Sequence, residues 1–502
     1  MTNDLPLTRR EILKAAVKTG VAGGAVGTVL PLVSSRPSRA APQMQGRPPA
    51  EPVYNGWIAA GIPGAGKPLD VRSSNPAIEL NIDSCLACGN CSDFCAHVTT
   101  VYGRSVPKDE DACIYCGQCT FVCPNDLISE KPHDRDVRRA IADAEKIVVC
   151  STAPAIRVAL GELFRMTPGS NVEGKIVQGL KQLGADYVLD ATFSADVTTV
   201  EEASELLERL EKKEKLPLVT SCCPAWIRFA KLFYPKLLPH ISSVKSPIMN
   251  QGALVKTYFA EKKKMDPSKI FHVAITPCTA KKAEILLPNM NAAGGVQNHS
   301  EQRDVDAVLT CRELGAMFLK EGIQLPKLKD AAYDSAMGKG SGAAMIFGNT
   351  GGVAEAAMRT AFQLLNREPP PKDFYELKPV RGYGVVRQAT VDLGKRKLNV
   401  AIVHGIGRVR TLLEAIQNGE TPFDFVEVMA CPGGCIGGGG QPRSVMMNDG
   451  QLKVLRLKAL YQRDVQNDVR TSLENPEVKA LYDSFLEKPL GERSKKFLHW
   501  EQ

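Results

Sequence analysis

Two runs of cysteine have the types and spacing to do redox chemistry. The first run, CLACGNCSDFC, contains Cys85, Cys88, Cys91 and Cys95. The second run, CIYCGQCTFVCP, contains Cys113, Cys116, Cys119 and Cys123. Both read C-x2-C-x2-C-x3-C, the spacing that binds two [4Fe–4S] clusters when the fourth cysteine of each run ligates the cluster of the other.

The spacing predicts the ligands of each cluster. One cluster takes Cys85, Cys88, Cys91 and Cys123, and the other takes Cys113, Cys116, Cys119 and Cys95. Gly89 and Gly117 give each loop the backbone freedom to wrap a cluster. Two adjacent clusters indicate one-electron transfer, but they do not identify the electron source.

Three later stretches carry further cysteines. They are TSCCPAW (220–226), TPCTAKKAE (276–284) and VMACPGGCIGGGGQP (428–442). The adjacent thiols of Cys222 and Cys223 are poorly placed for a mutual disulfide. Four thiolates gathered from these stretches could hold one more cubane cluster, and the glycines after Cys435 would let a bulky group approach the backbone.

Short β-branched segments alternate with helical patterns after residue 134. The strand candidates are KIVVC, ADYVLD, LPLVT, FHVAIT and KLNVAIVHG, and TVEEASELLERLEKK is a helix candidate. This alternation indicates parallel sheets covered by helices. The predicted fold class is α+β: a ferredoxin-like 2[4Fe–4S] domain, an α/β catalytic domain and a helical C-terminal extension.

The amino terminus has the features of a targeting signal. TRREILK, with Arg9 and Arg10, resembles a twin-arginine export signal, and Ser38 and Ala40 suit a cleavage site. The expected boundaries are 1–40 for the signal, 41–77 for a spacer and 78–134 for the ferredoxin-type domain. The catalytic domain is expected at 143–445 and the C-terminal region at 446–502.

Composition excludes some classes of protein. The formal charge is +8, and residues 1–40 contribute +4 of it, which leaves +4 (8 − 4). No basic tract with interleaved aromatics is present, so nucleic-acid binding has little support. No run approaches the ~20 apolar residues of a membrane helix, so no transmembrane helix is expected in the mature form. Fifteen cysteines are many for a chain of 502 residues, and their crowding is that of metal ligands rather than of disulfides.

The three later stretches resemble the signature motifs of the [FeFe]-hydrogenases. APAIRVALGELF (153–164), LTCRELGAMF (309–318) and FGNTGGVAEAAMR (347–359) resemble other segments of the same catalytic domain. NPEVKALYDSFLEKPLGERSKKFLHW (475–500) resembles the separate small subunit of periplasmic members, here fused to the large one. The resemblance implies the reaction H2 ⇌ 2H+ + 2e−, with uptake of H2 as the expected direction.

The resemblance also assigns cofactor ligands. The cubane of the H-cluster would be held by Cys223, Cys278, Cys431 and Cys435. Cys435 would also bridge to a two-iron unit that carries CO, cyanide and a dithiolate amine. Lys281 and Pro154 would serve the cyanides, and Gln441 would close the third motif.

A proton route follows from the same resemblance. Cys222 would bind no iron and would pass a proton between the bridging amine and the protein. Glu202, Glu205 and Arg209 share one helix face, and Ser242 can join them to Cys222. Charged helix faces are ordinarily solvated, so this expectation comes from the match to the relay of the family.

Two departures from the family pattern are present, and alternative functions remain open. Thr276 and Ala354 stand where the family has methionines that line the diiron pocket, which leaves a slow H2 sensor as an alternative. A cubane-only electron-transfer or cluster-assembly relative is another. Cys150 and Cys311 are expected to be ordinary core residues, and His404 is expected to be a satisfied histidine at a strand end. The expected partners are a c-type cytochrome, the hydrogenase maturases and the twin-arginine export machinery, and the expected location is the periplasm.

Overall fold

The computed structural model describes residues 68–107, 110–296, 301–443, 447 and 449–500. The export signal expected at 1–40 lies outside the described residues, as does the spacer up to residue 67. In the described part of the chain, no helix has the length and apolarity to cross a membrane.

Two four-stranded sheets form the central part of the protein. The strands are β1 Ile78–Leu80, β2 Ile128–Glu130, β3 Ile147–Thr152, β4 Tyr187–Asp190, β5 Leu218–Val219, β6 Ile270–Thr276, β7 Ala307–Thr310, β8 Val386–Asp392, β9 Lys397–His404 and β10 Phe425–Met429. The first sheet has the order β4-β3-β6-β7 and is parallel throughout. The second has the order β5-β10-β9-β8, in which β5, β10 and β9 are parallel.

The edge strand β8 differs from the predicted parallel arrangement. It pairs antiparallel with β9, from Val386 opposite Val403 to Asp392 opposite Lys397. Only the residues 393–396 join the two strands, and such a short loop connects antiparallel strands alone. The other predicted strands are present, and the predicted fold class is confirmed.

Helices cover both sheets. They are α1 Asn90–His97, α2 Asp134–Ala142, α3 Glu173–Leu183, α4 Ala191–Lys212, α5 Pro224–Phe233, α6 Pro247–Leu254, α7 Ala260–Lys263, α8 Lys281–Glu284, α9 Ala292–Val296, α10 Cys311–Lys320, α11 Gly342–Met345, α12 Gly352–Asn366, α13 Arg410–Gln417, α14 Asp449–Val465, α15 Pro476–Leu481 and α16 Glu492–Leu498.

Helix α4 is the longest of these, with 22 residues, and it begins eight residues before the predicted helix. The Asp190 side chain accepts a hydrogen bond from the Thr192 N–H, which caps its start. Its first turns are buried on every side, so they lack the amphipathic period by which a sequence reveals a helix.

The cysteine-rich region is small and irregular. Strands β1 and β2 pair antiparallel, and α1 follows the loop of the first cysteine run. Gly117 has φ +67°, a left-handed conformation that lets the second loop turn tightly.

The C-terminal helices α14–α16 pack on the catalytic region. Arg456 of α14 is buried and donates to Glu162 Oε1 at 2.8 Å. Arg359 of α12 donates to Asp464 at 2.9 and 2.8 Å, and both side chains are fully buried. Paired and hydrogen-bonded charges of this kind fix one arrangement of the two parts, because a separated partner would remain buried without its counter-charge.

Candidate active site at the strand ends

One cavity collects the cysteines of all three later stretches. Its lining includes Cys222, Cys223, Cys278, Cys431 and Cys435. The non-atom space inside this lining, with its open mouth included, is ≈ 770 Å³. Four thiols that line one mainly apolar cavity fit a soft, thiolate-bound metal group, and an iron–sulfur cluster is the group that the sequence predicts.

Strand ends bring these cysteines together. Cys222 and Cys223 follow β5, Cys278 follows β6, and Cys431 follows β10. Parallel strands present their carboxyl ends at the same edge of a sheet, which is where ligands bind in α/β folds. Here two sheets contribute such ends to one cavity.

Burial dominates the electrostatics of the four thiols expected to bind iron. It raises the pKa of Cys223, Cys431 and Cys435, and with the nearby Cys223 it raises the pKa of Cys278 to about 12. The Lys281 ammonium partly offsets this at Cys223, Cys278 and Cys435. These thiols therefore keep their protons until iron displaces them.

A chain of buried polar groups begins beside Cys222. Glu202 is 1% exposed, and its Oε1 has no hydrogen-bond partner among the described residues. Burial first, and then the charge of Glu205, raise the pKa of Glu202 to about 8. Burial and then the charge of Glu202 raise the pKa of Cys222. Both groups are therefore protonated at neutral pH.

Glu205 continues this chain toward Arg209. Ser242 Oγ donates to Glu205 Oε2 at 2.7 Å, and Arg209 Nη2 donates to Glu205 Oε1 at 2.6 Å. Arg209 also donates to the backbone carbonyls of the loops at 215 and 239–241. Unlike an ordinary charged helix face, this face of α4 is buried, and Glu205 and Arg209 on it are hydrogen-bonded.

The cavity wall holds one buried cation. Lys281 Nζ donates to Glu284 Oε2 at 2.7 Å and to the Cys222 carbonyl at 3.3 Å. Burial lowers its pKa, but Glu284 and the Cys278 sulfur outweigh burial, and the net pKa is raised. Lys281 therefore presents a fixed positive charge to whatever occupies the cavity.

The other expected cofactor contacts divide into two groups. Pro154 and Thr276 line the cavity. Gln441 is not part of its described wall and lies behind it, donating to the carbonyls of Ala155 and Cys435 at 3.2 and 3.4 Å. Its Oε1 is buried without a hydrogen-bond partner in the described residues, and buried acceptors ordinarily have one.

The two departures from the family also differ in place. The Thr276 hydroxyl donates to the Cys278 carbonyl at 3.2 Å and accepts from the Cys278 N–H at 3.3 Å. It therefore fixes the backbone of Cys278, one of the expected cluster ligands. Ala354 is outside the described cavity wall and packs in an apolar cluster with Ala203 and Leu206.

The cysteine-rich region forms two further groups. A smaller space is lined by Cys85, Cys88, Cys91 and Cys123. The remaining thiols act on one another electrostatically and are Cys95, Cys113, Cys116 and Cys119. Cys91 of the first group also acts electrostatically on Cys95 and Cys119, so the assignment of each thiol to one of the two predicted clusters stays a prediction. No three Cys, His, Asp or Glu side chains in the described ranges are close enough to hold a single metal ion.

The second cysteine run touches the third motif directly. Gln118 Nε2 donates to the Gly437 carbonyl at 2.8 Å, and Thr279 Oγ1 donates to the Tyr115 carbonyl at 2.7 Å. The sulfur of Cys116 also acts electrostatically on Cys431. The group that contains Cys116 is therefore the inner one, whereas Cys88 of the other group is exposed.

Sequence reasoning missed Glu427. This buried residue of β10 accepts from the N–H groups of Gly351 and Ala354 at the start of α12, and it acts electrostatically on Glu202 and Cys222. Its signal was a carboxylate inside the apolar run FVEVM, where a charge needs a buried partner.

The residues expected to be core are core. Cys150 and Cys311 lie in one apolar cluster. His404 Nδ1 accepts from the Gly433 N–H at 3.0 Å, and its Nε2 is 3.2 Å from the Tyr383 carbonyl. Burial lowers its pKa to about 4, so it is a neutral, satisfied histidine.

The protein has two groups of clustered thiols and a thiol-lined cavity beside a buried acid chain. These features define its class, an iron–sulfur oxidoreductase. The family model for the iron only hydrogenase large subunit, C-terminal domain, matches residues 146–439. The iron hydrogenase small subunit model matches 451–501, and a 4Fe-4S binding domain matches 106–129. The chain belongs to the iron-only, or [FeFe]-, hydrogenases, which are oxidoreductases that act on H2, and its cofactors are [4Fe–4S] clusters and the H-cluster.

Individual relatives agree with this membership. The periplasmic [Fe] hydrogenase large subunit of Nitratidesulfovibrio vulgaris is 43% identical over 372 residues, 73% of this chain and 86% of that protein. The NADP-reducing hydrogenase subunit HndD of Solidesulfovibrio fructosivorans is 42% identical over 384 residues, 75% of this chain and 64% of that protein, so the chain spans less than two thirds of it.

One solved structure and one relative of another description complete the comparison. A variant of the apo [FeFe]-hydrogenase HydA1 from Chlamydomonas reinhardtii has a TM-score of 0.64 at 38% identity, over 74% of this chain and 98% of that one. The cytosolic iron-sulfur assembly component 3 of Bos taurus is 32% identical over 437 residues, 84% of this chain and 83% of that protein.

Proposed function

We propose that this protein oxidises H2 to protons and electrons in the periplasm and passes the electrons to a c-type cytochrome. The observation that carries the proposal is the single cavity in which four thiols, a fifth free thiol and Lys281 meet the start of a buried acid chain. Lys281 and the acid chain have no evident use beside a cubane alone.

The ligands follow from this cavity. Cys223, Cys278, Cys431 and Cys435 would hold the cubane, and Cys435 would also hold the diiron unit. The ammonium of Lys281 and the backbone near Pro154 would hold the cyanide ligands. When bound, the H-cluster supplies the iron at which H2 binds and is split.

The protein moves the proton away through groups that already carry one. Cys222 and Glu202 are protonated at neutral pH, because burial raises both pKa values. A proton that arrives at Cys222 therefore displaces one toward Glu202, and the Ser242 hydroxyl connects Glu202 to Glu205. Arg209 donates to the Glu205 carboxylate near the C-terminal end of α4, and the proposed route ends at Arg209.

Electrons leave in the opposite direction. The inner cluster, on Cys95, Cys113, Cys116 and Cys119, is next to Cys431. The outer cluster, on Cys85, Cys88, Cys91 and Cys123, is beside the exposed side chains of Leu86 and Ile82. An acceptor can dock there because one ligand of the outer cluster is exposed.

The proposal includes export of the folded protein to the periplasm, where it meets its electron acceptor. The segment 1–40 acts as a twin-arginine signal, so the maturases insert the cofactor in the cytoplasm and the export machinery carries the folded protein across. Residues 41–77 are then a spacer, 78–134 the ferredoxin-type domain, 143–445 the catalytic domain and 446–502 the small-subunit-like region. The similarity to the periplasmic [Fe] hydrogenase large subunit of Nitratidesulfovibrio vulgaris supports the periplasmic location.

The test is dye-linked H2 oxidation by the matured protein and by Cys222→Ala. The wild type should turn over, and the variant should retain the cofactor while losing nearly all of its rate. Near-normal turnover of the variant would refute the relay, and an inactive wild type would refute the proposed activity.

A slow H2 sensor is the second candidate, because Thr276 replaces a large thioether in the cavity wall. It predicts a loaded cofactor with negligible turnover, and Thr276→Met should then raise the rate. A cubane-only assembly protein, the description of the Bos taurus relative, predicts no diiron unit at all.

A further inference from the structure

The proposed relay is held by the end of the chain. Lys245 N–H donates to the Leu498 carbonyl at 2.7 Å, and Trp500 N–H donates to the Ser243 carbonyl at 2.9 Å. Val244 and His499 form an antiparallel bridge. The loop that carries Ser242 is therefore joined to residues 498–500 of the small-subunit-like region by a β-bridge and two backbone hydrogen bonds.

Ser243 transmits this pairing to Glu205. Its N–H donates to both carboxylate oxygens of Glu205, at 3.2 and 3.1 Å. Its hydroxyl is 2.8 Å from His499 Nδ1. Ser242 and Ser243 together give Glu205 its donors from this loop, and His499 anchors one of the two.

The other ring nitrogen of His499 is anchored as well. Nε2 is 3.1 Å from Glu201 Oε2, and the two side chains are 7% and 0% exposed. Glu201 also accepts from Tyr482 Oη at 2.6 Å and from the Leu490 N–H at 2.8 Å. A carboxylate accepts only, so Nε2 carries the hydrogen and Nδ1 accepts from the Ser243 hydroxyl when the ring is neutral.

We propose that His499 is a positioning residue for the proton relay, through which the small-subunit-like region holds Ser242 and Ser243 against Glu205. The inference rests on the proposed function. His499 does not conduct the proton itself, because its contact with Glu205 passes through the backbone N–H of Ser243, which does not release its hydrogen. Its loss frees the loop, and a misplacement of about 1 Å can cost on the order of 100-fold in rate.

The test compares His499→Ala, His499→Asn and Lys496→Ala in the matured protein. The asparagine can still accept from Ser243, and Lys496 is an exposed residue of α16, the helix that ends just before His499. Dye-linked H2 oxidation is measured in H2O and in D2O. His499→Ala should lower kcat roughly 10- to 100-fold and raise the solvent isotope effect, with KM for H2 unchanged. His499→Asn should recover most of the rate, and Lys496→Ala should match the wild type.

Unchanged kcat and isotope effect in His499→Ala would overturn the inference, and so would an equal loss in His499→Asn. A second measurement does not depend on activity. Hydrogen–deuterium exchange at the amides of Ser242 and Ser243, in protein that lacks the diiron unit, should quicken in His499→Ala only. If the wild type fails to oxidise H2, the proposed function fails, and this exchange measurement alone decides whether His499 holds the loop.

Discussion

The buried acid of the relay should make folding stability depend on pH in a direction opposite to that of most carboxylates. The pKa of Glu202 is raised to about 8 from an ordinary value of 4.5, first by burial and then by the charge of Glu205. Between these two values the folded protein holds a proton that the unfolded chain has released. Stability contributed by this group is therefore present below pH 4.5 and is lost as the pH rises toward 8.

The magnitude follows from the width of this window, 3.5 units (8 − 4.5). At about 1.4 kcal/mol for each unit, the full loss is on the order of 5 kcal/mol, with about 2 kcal/mol already lost at pH 6. Glu202→Gln has no proton to lose. The variant should therefore gain stability over the wild type as the pH rises from 5 to 8.

The assay is urea unfolding of both proteins, produced without the diiron unit, at several pH values. Glu208→Gln is the control on the same helix, because Glu208 is part of a solvated pair with Lys212 that contributes little at any pH. A stability difference between Glu202→Gln and the wild type that stays flat from pH 5 to 8, or that shrinks, would refute the reasoning.

Two further predictions concern the electron path and the cofactor contact. A Cβ at Gly439 would be 2.2 Å from the Cys116 carbonyl, so Gly439→Ala should abolish dye-linked H2 oxidation while the cavity still exchanges H2 with D2O. The control is Gly295→Ala, whose Cβ meets nothing within 4 Å and which should keep both activities. Dye-linked oxidation by Gly439→Ala would show that the contact is not needed. Lys281→Met leaves Glu284 buried without its cation, so the free energy of unfolding should fall by about 3–5 kcal/mol. The infrared bands of CO and cyanide should be lost while the cubanes remain. Full bands would exclude a role for Lys281 in holding the diiron unit.

Much of the site was predictable from spacing alone. The C-x2-C-x2-C-x3-C pattern brings the eight cysteines of the two runs close together, because each loop fixes three sulfurs locally. The ligand roles themselves stay predictions. That the cysteines of the three later stretches lie together was predictable only in part, because this depends on two sheets directing their strand ends into one cavity.

The relay shows where sequence reasoning ends. The helix face of Glu202 and Glu205 has the pattern of a solvated surface, and nothing local signals that it is buried. The loop of Ser242 covers Glu205, and His499, which is almost 300 residues away in sequence, contacts the neighbouring Glu201. Contacts of this range follow from tertiary packing, and the same is true of Glu427, whose partners are the first amides of α12.

The most direct test of the central claim is the infrared spectrum of protein produced with the maturases. The claim is that Cys223, Cys278, Cys431 and Cys435 hold one H-cluster. We expect bands of CO and cyanide in the wild type and their absence in Cys435→Ala. A wild-type spectrum without these bands, in protein whose three cubanes are all assembled, would contradict it.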